Sequence, residues 1–138
     1  MSNLGTTYLG LQLKNPLVAA SSGLTSTVDK IVELEKAGIG AVVLKSVFEE
    51  QINNEVTNML GKDQHNTGYP EAEDYIKGYL RDNTIAKHLE LIEEAKKAVD
   101  IPIIASINCV TSDEWTTIAK DFQEAGADAI ELNIFFQN

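Results

Sequence analysis

Two short apolar runs, Leu17–Ala20 and Ala41–Leu44, are joined by a single helical stretch, and that unit limits the possible folds more than any other feature. Neither run alternates with polar residues, so a strand made from either must be covered on both faces. Parallel strands linked by helices meet that demand. Between the runs, Val28, Ile31, Val32 and Leu34 recur at helical spacing, and Asp29, Lys30, Glu33, Glu35 and Lys36 fill the polar side. Thr25, Ser26 or Thr27 is available to cap the helix, and Gly38 and Gly40 stop it. The segment Asn15–Ser46 therefore reads as one β-α-β unit. Its closing phrase, Glu35-Lys36-Ala37-Gly38-Ile39-Gly40-Ala41, returns as Gln123-Glu124-Ala125-Gly126-Ala127-Asp128-Ala129, a second helix end followed by a second strand entry.

The flanking segments extend this rhythm. Thr7-Tyr8-Leu9, Gly10 and Leu11-Gln12-Leu13 read as a small N-terminal hairpin, with Pro16 fixing the turn out of it. A long polar connection is expected over about 47–83, on the side where a functional site would lie. Asn83 or Thr84 is the expected cap of the next helix, whose apolar face is Ile85, His88, Leu89, Leu91, Ile92, Ala95 and Val99. Pro102 precedes a third strand, Ile103–Asn108. Ser112 caps a third helix with Trp115, Ile118, Ala119, Phe122 and Ala125 inward, and a fourth strand follows over Ala127–Asn133. Four strands alternating with three helices predict a parallel α/β fold of the (β/α)8 TIM-barrel kind, residues 1–138 forming one domain. A doubly wound sheet is the competing architecture, but no G-x-G-x-x-G fingerprint follows any strand. A complete barrel takes about 250 residues, so 138 residues are expected to supply its first half, preceded by the hairpin.

The formal net charge of −10 argues against a nucleic-acid partner. No apolar run approaches the roughly 20 residues of a membrane span. The first ten residues lack the basic and apolar regions of a signal peptide, and the single cysteine, Cys109, has no internal partner. A cytoplasmic location is expected.

In a barrel, function collects at the C-terminal ends of the strands. Those ends supply Ala20-Ser21-Ser22-Gly23, Lys45-Ser46, Ser106-Ile107-Asn108 and the stretch from Asn133 to Asn138. Amides, hydroxyls, exposed backbone and one cation suit a flat, polar heteroaromatic ligand. His65 and His88 are separated by a helix start, and no cluster has metal-ligand spacing, so no metal is expected. Plainer uses remain open for several of these residues. Lys45 also reads as a solvated lysine at a strand end, Asn108 and Asn133 as strand terminators or helix caps, and Ser21–Gly23 as a tight turn. Cys109 reads as a small buried hydrophobe.

The order Asn15-Pro16 with Ala20–Gly23, Leu44-Lys45-Ser46, Asn66-Thr67-Gly68-Tyr69-Pro70, Ser106-Ile107-Asn108 and Glu131-Leu132-Asn133-Ile134 resembles the N-terminal half of the soluble (class 1-like) dihydroorotate dehydrogenases. The resemblance covers nearly the whole chain. It implies an FMN-dependent oxidoreductase that oxidises dihydroorotate to orotate in pyrimidine biosynthesis. By resemblance, Ala20, Ser21, Ser22, Gly23, Lys45, Ser46, Asn108 and Asn133 contact the flavin. Lys45 takes the catalytic role, stabilising reduced flavin. Asn66, Gly68, Tyr69, Asn133 and Asn138 face a pyrimidine-like substrate.

The family's E-L-N-x-x-C-P-N carries the cysteine or serine base, where this sequence has Phe136. The loop after the first strand has one extra serine. The flavin-phosphate site, which such barrels build after strands seven and eight, would lie outside a first half. Weak or no FMN binding is therefore expected of this chain alone. The alternative reading is a non-catalytic half-barrel that self-associates into a homo-oligomer through its unpaired outer strands.

Overall fold

The computed structural model describes residues 3–48, 58, 70–108 and 112–134. Strands β1 (Thr6–Tyr8) and β2 (Leu11–Leu13) form the antiparallel hairpin, pairing Thr6 with Leu13 and Tyr8 with Leu11. Its two-residue turn has φ of 53° at Leu9 and 75° at Gly10, the left-handed pair that matches strand twist. Strand β3 (Val18–Ala19) leads through a 3-10 turn (Gly23–Thr25) to helix α1 (Val28–Lys36) and strand β4 (Ala41–Val43). Then come β5 (Val47–Phe48), helix α2 (Pro70–Ala98), β6 (Ile103–Asn108), α3 (Ser112–Glu124) and β7 (Ala129–Leu132).

The repeated phrase builds the same device twice. At the end of α1, Ile39 N–H donates to Leu34 O, and at the end of α3, Ala127 N–H donates to Phe122 O. These are the five-residue-back bonds of a Schellman cap, closed by Gly38 at φ 97° and Gly126 at φ 102°. Only glycine adopts that φ cheaply, which is why the phrase needs it.

Two boundaries differ from the sequence expectation. The connection expected over 47–83 is strand at Val47–Phe48 and helix from Pro70 onward. Pro70 suits a first helical position, and Glu71 and Asp74 near the helix start complement its dipole. These signals outweigh the Asn83-Thr84 pair, which reads as a cap. Thr84 does not cap; its hydroxyl donates to Leu80 O at 2.8 Å, the back-bond of a mid-helix threonine. At the start of α1, Thr27 occupies the cap position without a side-chain bond, while Ser22 caps the preceding 3-10 turn.

The main sheet is parallel, and its tiers follow chain order: β3 pairs β4, β4 pairs β6, and β6 pairs β7. Strand β5 continues along the same edge of β6 beyond β4, pairing Val47 with Ile107. No reversal of strand order, the mark of a doubly wound sheet, occurs among these strands. One face packs Val42, Leu44, Ile103, Ala105 and Ile107 against Ile31, Ile92, Ala95, Ile118 and Phe122 of the helices. The other face carries Ala41, Val43, Ile104 and Ser106, all buried. The hairpin lies beside this second face, with Leu13 only 4% exposed. A cavity of about 410 Å3 between them is lined by Tyr8, Leu13, Val18, Ala20, Val43 and Glu131 among others. Among the described residues no helix is long and apolar enough to cross a membrane.

Candidate functional site at the strand ends

Between β4 and β5 the register slips. Val43 pairs with Ile104 and Val47 with Ile107, so four steps on one strand face three on the other. This is a bulge at Leu44-Lys45-Ser46, and it reverses which residue faces inward. Strict alternation from Val43 would send Lys45 to the second face and Ser46 to the helices. The extra residue instead brings Ser46 across from Ser106, their hydroxyl oxygens 2.6 Å apart. Lys45 is anchored through its N–H to Thr25 O, and its side chain is exposed. It lines a second cavity, of about 370 Å3, with Ser26, Ser46, Asn83, Lys87 and His88 among others.

Ser46 is the hub of a side-chain network that joins all four tiers of the sheet. Ser21 Oγ, after β3, lies 3.0 Å from Ser46 Oγ and accepts from Ser46 N–H at 2.9 Å. Ser106 on β6 donates to Glu131 Oε1 on β7 at 2.6 Å. Asn133 Nδ2 donates to Ser106 Oγ at 2.8 Å and lies 3.4 Å from both Ser46 Oγ and Ile107 O. Ser106 is fully buried and Ser46 nearly so. A buried polar group is tolerable only when partnered, and here each hydroxyl's partner is another side chain of the set.

Of the residues singled out in the sequence, the structure thus unites Ser21, Ser46 and Asn133. Ala20 is exposed beside them, and Asn108 is half-buried at the end of β6. Ser22 spends its hydroxyl on Leu24 N–H, and Gly23 O takes up Ser26 Oγ and Lys30 Nζ, so both serve the turn. Asn66, Gly68, Tyr69 and Asn138, together with Phe136 and Cys109, lie outside the described residues.

Ser106 and Glu131, quoted in the sequence only within strand-end motifs, have no site role of their own among the expected residues. Their signal was present: each is polar within an apolar strand, and each lies two residues before a chosen asparagine, hence on the same face. His88 is buried at 8% exposure against Phe122, ring centroids 5.1 Å apart, and its Nε2 has no partner. Burial lowers its pKa from the ordinary 6.5 to about 4.

A parallel β/α sheet with a connected cluster of polar side chains at the strands' C-terminal ends places the chain in the α/β class. No family model matches the chain. It is 31% identical over 136 residues to the catalytic subunit of dihydroorotate dehydrogenase B (NAD(+)) from Thermoplasma volcanium, covering 97% of this chain and 42% of that protein. The corresponding subunit from Methanocella arvoryzae is 32% identical over 127 residues, covering 91% of this chain and 38% of the relative. The PreA subunit of NAD-dependent dihydropyrimidine dehydrogenase from Escherichia coli strain K12 is 27% identical over 134 residues, covering 95% and 32%. The chain is a homologue of this dihydroorotate dehydrogenase B and PreA family along nearly its whole length, and it spans about a third to two fifths of the length of these relatives.

Proposed function

We propose that the chain is the N-terminal half of a (β/α)8-barrel oxidoreductase that uses FMN to oxidise a pyrimidine-like ring. The observation that carries this reading is the convergence of Ser21, Ser46, Ser106 and Asn133 at the ends of four consecutive parallel strands. The donor set suits the ring end of a flavin. Ala20 leaves backbone accessible, and Asn133 commits its NH2 to the protein. FMN, when bound, supplies the two-electron oxidation. Ser21 and the backbone of Ala20–Gly23 would hold the ring edge, and Asn133 would orient ring polar groups. Lys45, exposed beside Ser46, would offset negative charge on the bound ring. Asn66, Gly68, Tyr69, Asn133 and Asn138 remain the candidate contacts to a pyrimidine, and Asn108 a candidate contact to the flavin.

The test completes the barrel with the C-terminal part of a relative and follows flavin reduction by dihydroorotate. Phe136 has no lone pair to accept a proton, so little reduction is expected. Phe136→Cys should raise it, general acid–base catalysis being worth about 10²–10⁴-fold. Brisk turnover by the unmodified protein would place the base elsewhere. Reduction by a chemical reductant but by neither form with dihydroorotate would point to a different ring.

A second reading is a non-catalytic half-barrel that pairs with another copy of itself. It is favoured by Leu17, next to β3, at 61% exposure and Leu132, on β7, at 53%. Light scattering separates the two: a stable homo-oligomer without flavin supports the second, and a flavin-loaded completed barrel supports the first.

A further inference from the structure

We propose that Glu131 sets the hydrogen-bond polarity of the site, fixing Asn133 so that it offers an acceptor, and that the site therefore selects a ring N–H. This deepens the pyrimidine reading above and rests on it for the ligand class, though not for the amide orientation.

Glu131 as a carboxylate only accepts, so the short Ser106–Glu131 bond uses the single hydrogen of Ser106. Towards every other neighbour Ser106 then presents lone pairs alone. Ser46, 2.6 Å away, must donate to it, and Ser21 must in turn donate to Ser46. All three hydroxyls point the same way, towards Glu131.

Asn133, 2.8 Å from Ser106 Oγ, meets a lone pair there and must use its NH2. Its second hydrogen falls between Ser46 Oγ, whose own hydrogen is spent, and Ile107 O, which can only accept. Both donors of Asn133 are committed to the protein. Oδ1 is left, and among the described residues no donor meets it. An asparagine free to flip would read donors and acceptors alike; this one reads donors.

The ligand class follows from that polarity: a flat ring whose N–H lies beside carbonyls. A pyrimidinedione and the pyrimidine edge of a flavin share this group. Glu131 acts on Asn133 through Ser106, which makes it a positioning residue. In the sequence it figures only within the Glu131-Leu132-Asn133-Ile134 motif, with no site role of its own.

The experiment is NMR on the isotope-labelled chain. The two side-chain NH2 protons of Asn133 should be resolved and exchange at least about tenfold slower than those of an exposed asparagine such as Asn83, since both are bonded. 1-Methyluracil, with one ring N–H, should bind more tightly than 1-methyl-2-pyridone, which has C–H in that place, by about tenfold. Glu131→Gln keeps the volume but can donate to Ser106 or accept from it, so protection and preference should both fall several-fold. Glu131→Ala, with its carboxylate removed, should do the same.

Full protection and full preference in both variants would overturn the role of Glu131. Fast exchange of Asn133 in the unmodified chain, or equal binding of the two rings, would overturn the acceptor assignment. Failure of both rings to bind, with Asn133 protected as described and sensitive to Glu131, would sink the pyrimidine reading and leave the amide orientation standing. Displacement of 1-methyluracil by FMN would assign the acceptor to the flavin edge, and simultaneous binding would assign it to the substrate.

Discussion

The two ends of the parallel sheet use polar side chains in opposite ways. At the N-terminal end, side chains bond to backbone. Asn15 Nδ2 donates to Gly38 O at 2.8 Å, Asp128 Oδ2 accepts from Ile103 N–H at 2.8 Å, and Glu35 Oε1 accepts from Asp100 N–H at 2.8 Å. Lys96 adds an ion pair to Asp128. At the C-terminal end, Ser21, Ser46, Ser106, Glu131 and Asn133 bond chiefly to one another.

The first pattern ties off loops and helix ends and leaves little for a ligand. The second satisfies its own burial and holds side chains in fixed orientations, the pre-organisation that a binding site needs. His88 sharpens the contrast. Among the described residues its Nε2 is the buried side-chain polar atom without a partner, and it lies in the wall of the cavity shared by Lys45 and Ser46.

The largest expected effect concerns that imidazole. With its pKa lowered to about 4, His88 stays neutral in the fold while the unfolded chain takes up a proton below 6.5. Its contribution to stability is therefore complete above pH 6.5 and is lost as pH falls towards 4, by about 3 kcal/mol. Denaturant unfolding of the unmodified protein and of His88→Leu should diverge over that window and run parallel above it. Parallel curves throughout would mean that the imidazole is solvated.

Gly40→Ala attacks the N-terminal end by shape. A Cβ at Gly40 would fall on the Asn15 carbonyl oxygen, where backbone rather than a flexible side chain must move. A loss of about 2–3 kcal/mol is expected in the unfolding midpoint.

Asp128→Ala attacks the same end by charge and should cost about 1.5 kcal/mol, through the Ile103 N–H and Lys96 left behind. Both substitutions should leave ligand contacts at the other end unchanged. If either alters ligand binding more than stability, the division between the ends is wrong.

Much of this fold is legible in local signals. The doubled Ala-Gly phrase gives both Schellman caps, because a helix end and its glycine are set by neighbours in sequence. Strand β6 coincides with the apolar run Ile103–Asn108 expected for it. Helix α2 was misjudged at its start, since Asn83-Thr84 is a good cap signal that a continuing helix overrides. The site was half visible. Ser21, Ser46 and Asn133 follow from their places at strand ends, but the bulge that separates Ser46 from Lys45 is a property of pairing with β6, and no local pattern at Leu44-Lys45-Ser46 announces it. Ser106 and Glu131 gain meaning only once β6 and β7 lie side by side, in the register that pairs those two residues.

The central claim is that the C-terminal end of the sheet is the ligand-binding end. Amide chemical shifts of the labelled chain, followed while FMN is added to millimolar concentration, test it most directly. The account predicts weak binding, with shifts concentrated at Ser21, Ser46, Asn108 and Asn133 and absent at Gly40 and Asp128. Shifts centred on Gly40, Asp128 and their neighbours, or no perturbation at the serine network while other residues respond, would contradict it.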